Sequence, residues 1–106
     1  MITVTKEAHV ATVTLNRPDA ANSLSLALLQ QLHNAFYTLS YDNDVRVVIV
    51  TGAGNQFCAG ADLKERKGMS DVEARQAIAL IGDVVNACEA MSQPVIAAMN
   101  GAAFGG

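Results

Sequence analysis

The sequence has few residues suited to a metal centre, a disulfide framework or a membrane segment. Only two of its 106 residues are cysteines, Cys58 and Cys88. They lack metal-ligand spacing, so we interpret both as reduced, buried thiols of a cytosolic protein. No apolar run approaches the roughly 18 residues that a membrane span requires, and the first residues do not resemble a signal peptide. We therefore expect a cytoplasmic protein with no metal and no membrane partner.

Charged residues are also scarce, at 16% of the chain. Seven basic and ten acidic side chains give a net charge of −3, so bulk charge does not attract nucleic acid. Hydrophobic residues make up 51% of the sequence and the mean hydropathy is +0.25. That is apolar for a single small domain, and it indicates surface that is buried against something else.

The sequence does contain an alternation of strand-like and helix-like segments. Residues 2–6 and 9–15 alternate β-branched with other residues, which predicts an antiparallel hairpin. Residues 26–41 repeat apolar residues at the spacing of an amphipathic helix. A second helix is predicted over 70–91, where Ser70 and Glu73 form a capping box. Its buried face is predicted to carry Ile78, Ile81, Val85 and Cys88.

Two short apolar runs, 45–50 and 95–99, have the composition of buried strands, and the first suits a strand covered on both faces of a parallel sheet. Strands that alternate with helices predict βαβ units and a layered α/β fold. A glycine-rich turn follows each run, at 51–60 and 100–106. Because ligands of open α/β sheets bind at the carboxyl ends of parallel strands, we expect both turns to converge on one site.

The stretch Phe57–Arg66 is the strongest candidate for that site. Small residues flank Gly60, so a ligand can approach the backbone closely, and several peptide N–H groups can point at one developing negative charge. Lys64, Arg66 and Lys67 can hold phosphates. A purely structural interpretation is also open, since a glycine-rich turn followed by a solvated helix start has the same residues.

Three familiar ligand motifs are absent. Gly52-Ala53-Gly54 begins a dinucleotide fingerprint, but Phe57 takes the place of its third glycine. A phosphate-binding P-loop requires lysine after its last glycine, where Ala61 stands. No G-x-S-x-G occurs, which excludes a nucleophile elbow.

Several motifs together resemble the enoyl-CoA hydratase/isomerase (crotonase) superfamily. They are Leu15-Asn16-Arg17-Pro18 with Asn22-Ser23-Leu24-Ser25, then residues 48–54, 57–63 and 94–106. They occur in the family's order and cover the whole chain, and within the family they look most like methylglutaconyl-CoA hydratases. The resemblance implies a spiral of ββα repeats. Residues 1–106 would be its N-terminal part, with the C-terminal half absent from this chain.

The resemblance also implies roles for single residues. The backbone N–H groups of Ala61 and Gly106 would form an oxyanion hole for the thioester enolate. The Ala59 and Ala61 carbonyls would face the adenine and Lys64 the phosphates, whereas Asp62 would cap the following turn. The residues expected to contact coenzyme A are Asp19, Ala20, Ala21, Ala59, Ala61, Asp62, Leu63 and Lys64.

The implied reaction is that of a lyase, which adds water across the double bond of a 2-enoyl-CoA in fatty-acid or branched-chain amino-acid breakdown. No separate cofactor is implied, because coenzyme A is part of the substrate. The two catalytic glutamates of family hydratases match positions after Gly106. We therefore expect these 106 residues alone to be inactive, and the full-length parent to be a homo-oligomer, a trimer or hexamer.

Three alternatives are open. The parent enzyme could be a family isomerase, decarboxylase or hydrolase, or the chain could be a non-catalytic acyl-CoA-binding fragment. RNA binding is known among the methylglutaconyl-CoA hydratases, whose first helix is rich in lysine. Because residues 26–41 contain no Lys or Arg, we expect no nucleic-acid partner. Asp19 stands where family members often carry a basic residue, which argues against a phosphate contact there.

Overall fold

A computed structural model describes residues 1–104, which form a four-stranded sheet, a two-stranded sheet and three α-helices. The elements are β1 (Ile2–Glu7), β2 (Val10–Leu15), α1 (Leu26–Ser40), β3 (Val47–Gly52), β4 (Gln56–Cys58), α2 (Leu63–Lys67), α3 (Asp71–Glu89), β5 (Val95–Ala97) and β6 (Ala102–Ala103). A single 3-10 turn, Pro18–Ala20, follows β2. No helix in this part of the chain combines the length and apolar character of a membrane span.

The larger sheet has the strand order β1-β2-β3-β5. The β1–β2 pair is antiparallel and the other two pairs are parallel, which confirms the predicted hairpin and βαβ units. Ala8 and His9 have positive φ angles of 50° and 68°, as a two-residue hairpin turn requires. The carboxyl ends of β2, β3 and β5 therefore lie at one edge of the sheet.

The hydrophobic core lies between one face of this sheet and α1. Alternate residues of β2 and β3 point to that face, and Val13 and Val48 are fully buried there. Leu28 and Leu29 of α1 are equally buried in the same cluster. Burying each such side chain contributes about 1.5–3 kcal/mol. Ser25 caps α1 by accepting a hydrogen bond from the Leu28 N–H at 3.2 Å.

The predictions of a strand buried on both faces at 45–50 and of a buried strand at 95–99 are wrong for residues 1–104. Val48 and Val50 are buried, but their neighbours along β3 are only half-buried. Strand β5 lies at the edge of the sheet, and 52% of Ile96 is exposed. The reason is that no element of the described chain covers the second face.

The predicted buried face of α3 is also partly wrong. Ala77 and Val84 are buried, whereas Ile78 and Val85 are 57% and 38% exposed. Helix α3 packs along α1, and each of its buried residues lies one position before a residue that was predicted to be buried. The predicted capping box is confirmed, with Ser70 accepting from the Glu73 N–H and Glu73 from the Ser70 N–H, both at 3.2 Å.

Candidate functional site

The two glycine-rich turns meet beyond the carboxyl ends of β3 and β5. Each turn contains a short strand that sequence reasoning had not predicted, and β4 and β6 pair in parallel. The Phe104 N–H then donates to the Cys58 carbonyl at 3.0 Å. The expected convergence is therefore confirmed as far as residue 104.

Asn100 and Gly101 hold these turns together. The Asn100 side chain accepts from the Gly52 N–H at 3.2 Å and donates to the Gly54 carbonyl at 2.9 Å. A Cβ at Gly101 would overlap the Asn55 carbonyl, so only glycine permits the backbones to approach this closely. The glycine here is required by close packing between two chain segments.

A third segment, residues 19–24, completes the site. The Ala59 N–H donates to the Ala21 carbonyl at 3.0 Å, and the Leu24 N–H donates to the Gly60 carbonyl at 2.7 Å. Gly60 has a φ of +85°, in the region that favours glycine. The structure thus places the predicted Asp19–Ala21 segment directly beside the predicted Ala59–Ala61 segment.

In the described part of the chain, the Ala61 backbone has hydrogen-bonding groups without a partner. Within residues 1–104 its N–H donates to no acceptor, and neither its carbonyl nor that of Ala59 accepts a hydrogen bond. These are the groups that the resemblance assigned to the oxyanion hole and the adenine. The second predicted donor, Gly106, lies outside the described residues, so its role stays a prediction.

Asp62 joins the 58–62 loop to α2 and to a distant arginine. Its Oδ1 accepts from the Glu65 N–H at 3.1 Å, which confirms the predicted cap. Its Oδ2 accepts from the Arg17 guanidinium at 2.9 Å. The hydrogen bond from Glu65, followed by that from Arg17, holds the pKa of the Asp62 carboxyl below its ordinary value. The carboxylate therefore stays ionised at neutral pH and is a weak base.

The other predicted contact residues lie around the rim of this loop. Lys64 and Asp19 are exposed, as is 72% of Leu63, while Ala20 and Ala21 are half-buried. The Glu65 carboxylate accepts from the Leu26 N–H at 3.2 and 3.3 Å, which stabilises the first turn of α1. Residues 1–104 contain no cluster of three His, Cys, Asp or Glu side chains that could hold a metal ion.

An apolar cavity of about 470 Å³ opens behind the loop, between the large sheet, α1 and α3. Phe57, Cys58 and Phe104 line its side nearest the glycine-rich turns. Burial raises the pKa of the Cys58 thiol, so this cysteine remains a neutral, apolar wall residue.

The profile of the enoyl-CoA hydratase/isomerase family matches residues 5–106. The chain belongs to this family. It is 43% identical over 102 residues to the short-chain-enoyl-CoA hydratase of Clostridium acetobutylicum, covering 95% of this chain and 39% of that protein. It is 41% identical over 106 residues to the crotonyl-CoA hydratase of Syntrophomonas wolfei, covering 99% of this chain and 41% of that protein.

Solved structures give the same fold. The crystal structure of an enoyl-CoA hydratase from Bacillus anthracis superimposes with a TM-score of 0.92 at 49% identity, covering 94% of this chain and 40% of that one. The expected crotonase-type α/β fold is confirmed. The chain spans about two fifths of the length of these relatives.

Two residues of this family member were missed as site residues by sequence reasoning. Asn22, for which the sequence indicated no role beyond its place in a family motif, is fully buried. Its Oδ1 accepts from the Arg17 N–H at 2.8 Å, and its Nδ2 donates to the carbonyls of Ala53 at 2.9 Å and Gln56 at 2.8 Å. Arg17 was likewise only part of a motif. No spacing signal indicates its ion pair with Asp62, because 45 residues separate the two.

Proposed function

We propose that this chain is the acyl-CoA-binding, N-terminal part of an enoyl-CoA hydratase-type lyase. The observation that carries the proposal is the Ala61 N–H, which has no acceptor within residues 1–104 and lies in the loop directly after the strand where the two glycine-rich turns pair. Family membership of residues 5–106 supports the same assignment. We also propose that the full-length parent is a cytoplasmic homo-oligomer, and the exposed apolar side chains of Ile78 and Ile96 favour burial in a larger assembly.

In this proposal the thioester carbonyl of a 2-enoyl-CoA accepts a hydrogen bond from the Ala61 N–H. As water adds to the β-carbon, negative charge moves onto that oxygen, and the fixed peptide dipole stabilises it. The resulting enolate takes a proton at the α-carbon to give the 3-hydroxyacyl-CoA. Gly106 would supply the second N–H.

The proton transfers require groups other than Asp62. Both of its oxygens are hydrogen-bonded within the chain and its pKa is lowered, so it neither activates water nor donates a proton. The resemblance assigns those steps to two glutamates that match positions after Gly106. A polypeptide of these 106 residues is therefore proposed to bind acyl-CoA without hydrating it.

Coenzyme A would lie along the segments Asp19–Ala21 and Ala59–Lys64. The carbonyls of Ala59 and Ala61, which accept no hydrogen bond from residues 1–104, suit the adenine amino group, and the exposed Lys64 ammonium suits a phosphate. Asp62 and Leu63 complete the rim, although the Asp62 carboxylate is already engaged. Coenzyme A enters as part of the substrate, so the proposal includes no separate cofactor.

Calorimetric titration of the 106-residue chain with crotonyl-CoA and with free coenzyme A tests this function. We expect both to bind, crotonyl-CoA more tightly because its thioester adds the Ala61 contact. Lys64→Gln should weaken both equally, whereas Glu89→Gln, an exposed change on α3, should affect neither. Failure of either ligand to bind would contradict the proposal, and hydration of crotonyl-CoA by this chain would contradict its inactivity.

A further inference from the structure

The 58–62 loop depends on contacts from the rest of the chain to keep one orientation. Two backbone hydrogen bonds hold it, from Ala59 to Ala21 and from Leu24 to Gly60, and the second belongs to an isolated parallel bridge between Leu24 and Ala61. On the other side of Ala61, the next residue held by the body of the domain is Asp62. The direction of the Ala61 N–H is therefore set by both the preceding contacts and the Asp62 contact.

Arg17 supplies that second contact. Its Nη1 donates to Asp62 Oδ2 at 2.9 Å, to Ser23 Oγ at 3.0 Å and to the Ser23 carbonyl at 3.1 Å. Asn22 in turn fixes the Arg17 backbone through the 2.8 Å bond to its N–H. One guanidinium therefore joins the segment after β2 to the loop after β4.

The Arg17–Asp62 ion pair is partly shielded from solvent, and this strengthens the contact between the two side chains. The Arg17 and Asp62 side chains are only 23% and 11% exposed. Charge-assisted hydrogen bonds of this kind are shorter and stronger than neutral ones, and partial burial reduces their screening by solvent. The other hydrogen bonds to Asp62, from the Glu65 N–H to its carboxylate and from the Arg66 N–H to its carbonyl, come from the short helix that it caps, not from the body of the domain.

We propose that Arg17 is a positioning residue for the Ala61 N–H, acting through Asp62. The inference rests on the proposed role of Ala61 as a donor to the thioester oxygen. Arg17 does not itself touch the reacting atoms in this account. Arg17 keeps the Ala61 N–H oriented toward the thioester oxygen. Loss of the Arg17 side chain should therefore weaken the thioester contact more than the contacts to coenzyme A.

Nuclear magnetic resonance of the ¹⁵N-labelled chain can measure this directly. In the wild type, saturating crotonyl-CoA should shift the Ala61 amide resonance beyond the shift caused by free coenzyme A. Arg17→Gln should abolish that difference and lower crotonyl-CoA affinity about tenfold, since a hydrogen bond to a charged group is lost. Arg17→Lys should restore part of both effects, because an ammonium can pair with Asp62 but lacks the planar fork.

The matched control is Lys6→Gln, which breaks the ion pair with Asp42 near the start of β2, away from the site. It should leave the Ala61 response unchanged. Asp62→Asn should reproduce the Arg17→Gln loss, and the double variant should lose no more than either single one.

The outcomes separate the two hypotheses. A wild-type chain without an Ala61 response would refute the proposed function. A normal wild-type response that persists in Arg17→Gln would overturn the positioning role. If Arg17→Gln does not fold, Arg17→Lys and Asp62→Asn decide the question, and wild-type behaviour in both would overturn the inference.

Discussion

Each end of the central parallel strands, β2, β3 and β5, carries an ion pair, and the two pairs differ in how far they are exposed to solvent. The amino end carries the Lys6–Asp42 ion pair at 2.8 Å, and the carboxyl end carries the Arg17–Asp62 pair at 2.9 Å. The Lys6 side chain is 54% exposed, whereas that of Arg17 is 23% exposed. Both ends also contain non-glycine residues with positive φ.

The polar groups at the two ends of the strands also hold different segments of the chain together. At the amino end they connect a hairpin turn to the loop after α1, both of them on the surface. At the carboxyl end, Asn22, Asn100 and the Arg17–Asp62 pair fix three loops against one another, and Asn22 is completely buried. Ordered loops with buried polar contacts suit a binding site, because a donor that is already oriented need not be ordered when ligand binds.

The largest expected effect comes from closing the space between the converging turns. Gly101→Ala places a methyl group on the Asn55 carbonyl, and we expect a loss of at least about 3 kcal/mol in the free energy of unfolding, measured in urea. Gly82→Ala is the control. Apart from its own helix backbone and chain neighbours, no described atom lies within 4 Å of the added Cβ in the exposed middle of α3, so it should stabilise the chain by about 0.5–1 kcal/mol. Equal effects would show that the turns do not pack as described.

The second-largest expected effect comes from removing the buried side-chain amide of Asn22. Asn22→Ala removes the partner of the Arg17 N–H and of the Ala53 carbonyl and the nearer amide donor to the Gln56 carbonyl, so we expect a destabilisation of about 2–4 kcal/mol in the same urea experiment. Asn86→Ala, on the exposed side of α3, should change stability by less than about 0.5 kcal/mol. A loss at Asn22 no larger than that at Asn86 would argue against the network.

The smallest effect is the pH dependence of the two ion pairs. The folded pKa of Asp62 lies below its ordinary value of about 3.9, so its stabilising contribution is present above that pH and is lost as pH falls through the lowered pKa. The stability gap between wild type and Asp62→Asn should therefore be constant near neutral pH and narrow below about pH 4.

Asp42→Asn provides the comparison for that titration. The hydrogen bond from Lys6 lowers the Asp42 pKa, so the sign of the pH dependence is the same. Solvent screens this exposed pair, and its gap near neutral pH should be smaller than that of Asp62. A gap that widened in acid, or a larger gap for Asp42, would contradict the contrast between the two ends.

The sequence was sufficient to predict the order of the strands of the larger sheet and of the two long helices, as well as the hairpin and the capping box, because each depends on local periodicity or on neighbouring residues. It was also sufficient to predict that the glycine-rich turns meet, since parallel strands end at one edge. It could not reveal which side of α3 faces α1, because Ile78 and Val85 fit a helical stripe as well as Ala77 and Val84 do. That choice is made by tertiary packing.

The contacts that support the site could not be predicted from the sequence either. The Arg17–Asp62 pair spans 45 positions, and the Asn22 amide reaches carbonyls 31 and 34 positions away. Asp62 was recognised as a cap because its partner is three residues away. Local contacts were thus predictable, whereas the long-range contacts that orient the Ala61 loop required the fold.

The central claim, that the Ala61 N–H stabilises the thioester enolate, is tested most directly in a complete enzyme. Residues 1–106 can be joined to the remainder of the Bacillus anthracis enoyl-CoA hydratase, 40% of which this chain matches with a TM-score of 0.92. Ala61→Pro deletes the N–H, and Ala61→Gly retains it. In variants that still bind coenzyme A, Ala61→Pro should lower kcat for crotonyl-CoA hydration by about 10²–10³, with Ala61→Gly close to wild type. An unchanged kcat in Ala61→Pro would contradict the account.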